Sequence, residues 1–270
     1  MRFIIGSSGQ GKTHTAFCEC IRESIEDKDK QFIIIVPEQY TMQTQKEIVT
    51  LHPYHATQNI DVLSFNRLAH KVFHEFGVVN PEIMDDVGKA LVIKKAALEC
   101  RDELKSWKNQ VSKSGFIDNL KSMISEFFQY GIKNEDIERA VSSDTKIRVS
   151  LKNKLSDLNL IIKSFKNFIK DKYITTEEIL EVCCKYLDKS EFIKNSHIII
   201  DGFTGFTPIQ YKIIEIFLTN AKELTITVTA PSKKEVYSRQ DEADLFLMGK
   251  RMVATITAVS YTHLTLPTKR

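Results

Sequence analysis

The chain has 270 residues, 42% hydrophobic and 27% charged, with only 10 glycines and 6 prolines, which fits one or two buried cores. This composition excludes collagen-like, low-complexity and wholly disordered proteins. The net charge of +3, from 38 basic and 35 acidic side chains, is too small to indicate nucleic-acid binding by itself, so any contact with DNA is expected to be local.

The first 80 residues alternate between short apolar runs and amphipathic stretches. Residues 2–5 form an apolar run, followed by a Gly/Ser segment and by a helical spacing over 15–25. Residues 31–36 are a run closed by Pro37 in which 33–36 are all β-branched, the pattern of a strand buried on both faces of a parallel sheet. The pattern then predicts a helix over 40–50, a strand over 59–65 and a helix over 66–76. This alternation predicts an α/β fold.

The strand patterns disappear over residues 81–192, and long helical spacings take their place. These spacings predict helices over 87–107, 116–130, 151–173 and 176–187. Strand patterns return at 196–202 and 223–231, with a helical pattern over 208–219 between them. We therefore expect a parallel-sheet domain that is interrupted by a large all-helical insertion.

A phosphate-binding motif lies between the first predicted strand and the first predicted helix. The residues that match G-x-x-x-x-G-K-[ST] are Gly6, Ser7, Ser8, Gly9, Gln10, Gly11, Lys12 and Thr13. Glycines let the backbone N–H groups surround a phosphate, and the helix N-terminus adds its positive end. In such a loop Lys12 reaches the β- and γ-phosphate oxygens and Thr13 ligates Mg²⁺. The alternative is a flexible Gly/Ser turn.

An acidic partner for the metal is expected at the end of a neighbouring buried strand, and Asp201 follows the apolar run 198–200. We interpret Asp201 as the Walker B aspartate; the alternative is a cap of the turn before Gly202. Since 189 positions separate Lys12 from Asp201, the helical segment must be inserted within one nucleotide-binding domain.

Five segments in this order resemble one family. They are GSSGQGKT, IIIVPEQYTMQTQKE, DVLSFNRLAHKVFHEFG, KSGFIDNLKSMISEFFQYGI and IIIDGFTGFTPIQYKIIEIF. Over roughly residues 1–250 the sequence is similar to the N-terminal part of the B subunit of the bacterial AddAB helicase–nucleases. The resemblance implies ATP and Mg²⁺ as ligands and an AddA-type motor and nuclease subunit as heterodimer partner. It also implies action on DNA ends and single-stranded DNA in double-strand break repair by homologous recombination, with a part in Chi recognition.

The resemblance also divides the chain. It implies that residues 1–80 and 193–232 form a RecA-like helicase domain, that 81–192 are its insertion, and that 233–258 begin a following domain. Residues 259–270 do not continue the preceding helical pattern, and we expect them to be a loosely packed non-native tail; the alternative is a genuine terminal strand.

Cysteines and apolar runs indicate the compartment. In the resembled family four cysteines far beyond these residues hold a 4Fe-4S cluster, so we expect no cluster ligand among Cys18, Cys20, Cys100, Cys183 and Cys184. These five show no C-x-x-C pair, and we expect reduced thiols. No apolar run approaches the ~20 residues of a membrane span, and no signal-peptide core follows Met1, so we expect a cytoplasmic protein with no membrane contact.

Four residues are expected near single-stranded DNA. The resemblance makes Gln39, Thr41, Ser64 and Phe65 candidates for contact with single-stranded DNA; the alternatives are helix capping and core packing.

The resemblance to a helicase subunit implies that Gly202 stands where helicase motor domains carry the glutamate that activates water, so we expect ATP binding with poor hydrolysis unless another base such as Glu38 replaces it. The two leading hypotheses are an ATP-binding motor-type domain and a non-hydrolysing DNA-binding scaffold that regulates a partner motor. A P-loop kinase of small metabolites is disfavoured by the long insertion.

Overall fold

The computed structural model describes residues 1–78, 83–143, 148–170, 172–231 and 242–265; for residues 114, 143 and 261–265 it describes the backbone alone. The chain divides into two compact units, residues 1–78 with 182–270 and residues 79–181. The strands are β1 (Arg2–Gly6), β2 (Gln31–Ile35), β3 (Ile60–Leu63), β4 (Ile83–Met84), β5 (Ile174–Thr175), β6 (Ser196–Ile200) and β7 (Glu223–Thr229). The helices are α1 (Lys12–Glu26), α2 (Thr41–Leu51), α3 (Phe65–Glu75), α4 (Asp86–Glu99), α5 (Ser114–Gln129), α6 (Asn134–Ser143), α7 (Val149–Ile169), α8 (Ile179–Leu187), α9 (Glu191–Lys194), α10 (Pro208–Asn220) and α11 (Leu247–Thr265).

The first unit contains a five-stranded sheet in the order β1-β7-β6-β2-β3. Every neighbouring pair in it is parallel. The two strands with the longest isoleucine runs, β2 and β6, lie inside the sheet and are buried, as expected for strands covered on both faces. The predicted α/β class and parallel sheet are therefore confirmed.

Helix α1 covers one face of this sheet. Its buried residues Ala16, Phe17, Cys20 and Ile21 follow helical spacing and pack in one apolar cluster with Phe32 and Ile34 of β2. Burial of a side chain as large as Phe17, which is fully inaccessible, contributes about 1.5–3 kcal/mol. This packing fixes the position of the loop that precedes α1.

The second unit is largely helical, with α4 and α6 packed against α7. Its apolar core includes Ile93, Trp107, Ile124, Leu158 and Phe165. The prediction that the insertion is all-helical is not confirmed, because β4 and β5 pair in parallel as two-residue strands. Two residues of alternation are too short to give a periodic signal in the sequence.

The helix predicted over residues 87–107 is wrong in its second half, since α4 ends at Glu99. The last residues of the predicted helix are instead bound by Asp157 of α7, which is almost fully buried. Its carboxylate accepts hydrogen bonds from the backbone N–H groups of Lys105, Ser106 and Trp107 at 2.8, 2.7 and 3.0 Å. These bonds satisfy three N–H groups that a continued helix would pair within itself. The helix α6 was not predicted as a separate element.

Helix α11 packs closely on β7. A Cβ atom added to Gly249 would collide with the carbonyl oxygen of Thr229, so glycine permits this approach. The helix continues to Thr265, so the expectation that residues 259–270 leave the helical pattern is wrong for residues 259–265, and these residues do not form a strand. The non-native origin of this segment stays a prediction. Residues 233–241 of the predicted following domain and residues 266–270 of that tail lie outside the described residues. Among the helices described, none has both the length and the apolar character of a membrane span.

Candidate nucleotide-binding site

The predicted phosphate loop connects the end of β1 to the start of α1. Gly9 and Gly11 have φ angles of +77° and +78°, in the left-handed region that favours glycine. Gly11 is also the N-cap of α1, and no side chain caps this end of the helix. The first turn of α1 carries no acidic residue, so its positive end is not neutralised within the turn. The glycines of the motif therefore form a loop suited to an anion.

Two side chains of the loop fold back onto Ser7. The Gln10 side-chain oxygen Oε1 accepts a hydrogen bond from the Ser7 backbone N–H at 2.8 Å, and Lys12 Nζ donates to the Ser7 carbonyl oxygen at 2.8 Å. Burial lowers the pKa of Lys12 below its ordinary value, and the charge of Asp201 opposes that shift. The ammonium thus lies in the loop, held by a neutral acceptor that a phosphate oxygen can replace.

Thr13 and Asp201 meet although 188 positions separate them. The Thr13 hydroxyl donates to the Asp201 carboxylate, with Oγ1 at 3.0 Å from both Oδ1 and Oδ2. Asp201 follows β6 directly and is 6% exposed. Its backbone N–H donates to the Ile35 carbonyl oxygen of β2 at 2.9 Å, which continues the sheet by one residue. A hydroxyl and a carboxylate are ligands that Mg²⁺ accepts, so these two residues fit the predicted metal pair.

A second hydroxyl, which the sequence reasoning missed, reaches the same carboxylate. Thr227 of β7 donates from Oγ1 to Asp201 Oδ1 at 2.6 Å, and this contact is buried. The only signal available in the sequence is a threonine near the end of a predicted inner strand, which β propensity already explains. Its role depends on which strands are neighbours, and that is not a local property of the chain.

Gly202 follows Asp201 with φ at +78°, and its position is exposed. A Cβ atom built there would make only ordinary contact with Pro37 Cδ, at 3.5 Å. Any other residue here would thus be strained by the backbone rather than by a collision. The alternative base, Glu38, accepts from Arg67 Nε at 3.3 Å, and both side chains are about half exposed.

The four candidates for contact with DNA lie after β2 and β3. Gln39 is exposed, whereas Thr41, Ser64 and Phe65 are buried. The Thr41 hydroxyl donates to the Glu38 carbonyl oxygen at 3.0 Å, and Ser64 Oγ caps α3 by accepting from the Arg67 N–H at 3.3 Å. Phe65 packs edge-on against Phe203, with ring centroids 5.5 Å apart. Capping and packing therefore account for three of these four side chains.

Two of the five cysteines are buried, and the other three are partly or fully exposed. Cys20 and Cys183 are buried, and burial raises their pKa above the ordinary thiol value, to about 12 for Cys183. In the part of the chain that the structure describes, no three His, Cys, Asp or Glu side chains are grouped as metal ligands.

Comparisons with known proteins agree on one family. A family model described as ADDB, N-terminal matches residues 3–265. A protein of Lachnoclostridium phytofermentans, named as the B subunit of an ATP-dependent helicase/deoxyribonuclease, is 38% identical over 97% of this chain and 23% of its own length. Proteins of the same name from Clostridium kluyveri and Clostridium tetani are 36% and 34% identical over 92% and 93% of this chain. The chain spans about a fifth of the length of these curated relatives, 21% and 22% in the last two cases.

Proposed function

Because the chain belongs to the AddB N-terminal family, we propose that it binds ATP with Mg²⁺ as part of a DNA helicase–nuclease subunit. The relatives are named as ATP-dependent and as B subunits, which supports nucleotide as ligand and a second subunit as partner. We assign the partner as an AddA-type motor and the substrate as DNA ends in double-strand break repair, in the cytoplasm. Chi recognition is part of the same proposal.

The observation that carries this proposal is the hydrogen bond between Thr13 and Asp201. It brings the end of the phosphate loop and the end of β6 to 3.0 Å, across 188 positions of sequence. In a nucleotide site these oxygens face the metal, while Lys12 and the loop N–H groups face the phosphates. When bound, Mg²⁺ neutralises charge on the phosphate oxygens. We accordingly interpret residues 1–80 and 193–232 as a RecA-like domain and 81–192 as its insertion.

We further propose that this site holds ATP and hydrolyses it poorly. Gly202 has no acid–base group and adopts a left-handed conformation, so the position does not readily accept a glutamate. General-base assistance contributes about 10²–10⁴-fold to rate, and its loss slows turnover by that order. The pairing of Glu38 with Arg67 disfavours Glu38 as a substitute base. ATP then acts as a ligand that stabilises the domain and regulates the partner motor, which is the second candidate function that Gly202 favours.

Calorimetry of ATP binding in the presence of Mg²⁺ tests the site. Lys12→Ala is expected to lose most of the affinity, because alanine cannot replace a charge-assisted contact to the triphosphate. Lys28→Ala is the matched control, since this exposed lysine lies just past the opposite end of α1. Equal affinity for wild type and Lys12→Ala would contradict the proposal. Stimulation of ATP turnover by single-stranded DNA, with and without the partner subunit, separates a motor from a regulatory site.

A further inference from the structure

The hydroxyl of Thr227 is placed to control the orientation of Asp201. Thr227 lies on β7, which is hydrogen-bonded to β1 on one side and to β6 on the other. It is opposite Ile4 of β1, while Ile226 is opposite Ile200 of β6. Thr227 therefore stands at the level of Asp201, between the strand that leads into the phosphate loop and the strand that carries the carboxylate. Thr227 and Asp201 are only 5% and 6% exposed.

The two hydroxyls hold the carboxylate differently. Thr227 makes a short contact to one oxygen, Oδ1, at 2.6 Å, whereas Thr13 lies at 3.0 Å from both oxygens. A hydroxyl that donates to an ionised carboxylate forms one of the stronger hydrogen bonds in proteins. The terminal torsion of an aspartate is otherwise broad. A β-branched threonine on a strand has restricted χ1 freedom, so it is a stiff support for such a contact.

We propose that Thr227 is a positioning residue for the divalent cation that binds with the nucleotide: its hydroxyl fixes Asp201 so that the carboxylate faces Thr13 and the metal. This inference rests on the proposed function of the same site. It assigns to Thr227 an effect on metal affinity and none on the contacts that Lys12 and the loop make to the phosphates. A purely structural hydroxyl would instead affect folding and leave the metal dependence of nucleotide binding unchanged.

The test is ATP affinity of the full 270-residue chain, measured by calorimetry over a MgCl₂ series and in EDTA. Thr227→Val keeps the side-chain shape and removes the donor, and Thr227→Ser keeps the donor. Thr225→Val is the matched control, because Thr225 is on the same face of β7, is 8% exposed and precedes Thr227 by two residues.

We expect Thr227→Val to raise the Mg²⁺ concentration needed for half-maximal ATP binding by about tenfold or more, the usual effect of losing a group that orients a metal ligand. In EDTA, Thr227→Val is expected to match wild type. Thr227→Ser and Thr225→Val are expected to retain the wild-type Mg²⁺ dependence.

An unchanged Mg²⁺ dependence in Thr227→Val, with wild type responding to Mg²⁺, overturns this inference and leaves the proposed function standing. A wild-type chain that does not bind ATP overturns both. If Thr227→Val does not fold, Thr227→Ala is measured in the same series. Failure of both to fold, while Thr225→Val folds, would assign the hydroxyl to stability and overturn the inference.

Discussion

Substitution of Gly202 tests both the backbone conformation after Asp201 and the proposed loss of hydrolysis. At φ +78° an L-residue costs about 1–2 kcal/mol. The nearest atom to an added Cβ is Pro37 Cδ at 3.5 Å, so no steric collision adds to this cost. Removing the flexibility of glycine from the unfolded chain returns about 0.4–1 kcal/mol. The expected net destabilisation by Gly202→Ala is about 1 kcal/mol, and Gly202→Asn should cost less, because asparagine tolerates this region.

Thermal unfolding measures this cost, and about 1 kcal/mol corresponds to a decrease in Tm of about 2–4 °C for a chain of this size. Gly115→Ala provides a control of opposite sign. Gly115 is the second residue of α5, without a positive φ and with open space around it, so alanine should stabilise the helix by less than the about 0.5–1 kcal/mol expected in mid-helix. A Gly202→Ala protein as stable as wild type, with Gly115→Ala behaving as expected, would show that the left-handed backbone at this position costs no stability.

Steady-state ATP turnover provides the second measurement on the same variants. We expect slow turnover in the unmutated chain, lower by about 10²–10⁴-fold than that of a motor with a general base. Gly202→Glu is the variant expected to raise turnover, with a loss of stability similar to that of Gly202→Ala. Robust turnover in the unmutated chain that Lys12→Ala abolishes would show a working motor and refute poor hydrolysis.

The remaining predictions concern the loop and the second unit. Gln10→Ala frees the Ser7 N–H group, which now donates to Gln10 Oε1. The ATP affinity measured by calorimetry should therefore rise about two- to tenfold, as expected for one net hydrogen bond. A decrease would show that Gln10 contacts the nucleotide. Lys89→Met leaves Glu177 buried without its partner at 2.7 Å and should lower the free energy of unfolding, measured in urea, by about 3 kcal/mol. Adding Glu177→Gln should recover much of that loss, and no recovery would contradict this pairing. Burial opposes ionisation of Glu177, yet the hydrogen bond and charge of Lys89 lower its pKa below the ordinary value. The stability from this pair is therefore present above the unfolded pKa of about 4.3 and should be lost as the pH falls through the lowered folded pKa of Glu177. Unfolding midpoints measured over a pH series test this pH dependence. No difference between wild type and Glu177→Gln would contradict it.

Local sequence was sufficient for the elements that are buried on both faces and for the phosphate loop. The isoleucine runs of β2 and β6, bounded by turn residues, are typical of strands covered on both faces of a sheet, and the structure has both strands there. The glycines of the loop were predictable because Gly9 and Gly11 adopt backbone angles that other residues rarely adopt. Each of these predictions depends on interactions between residues close in the chain.

Tertiary structure decided the features that depend on residues far apart. Residues 105–107, predicted as the end of a helix, lie outside α4, and their N–H groups donate to Asp157, about fifty positions away, instead of pairing locally. The contact of Thr227 with Asp201 exists because β7 lies between β1 and β6, an order that no single strand specifies. Periodicity shows which face of an element is apolar, because that depends on its own side chains. The identity of its neighbour is fixed only when the whole chain packs, and here that packing brings three hydroxyl and carboxylate groups, 26 and 188 positions apart, to one end of the sheet.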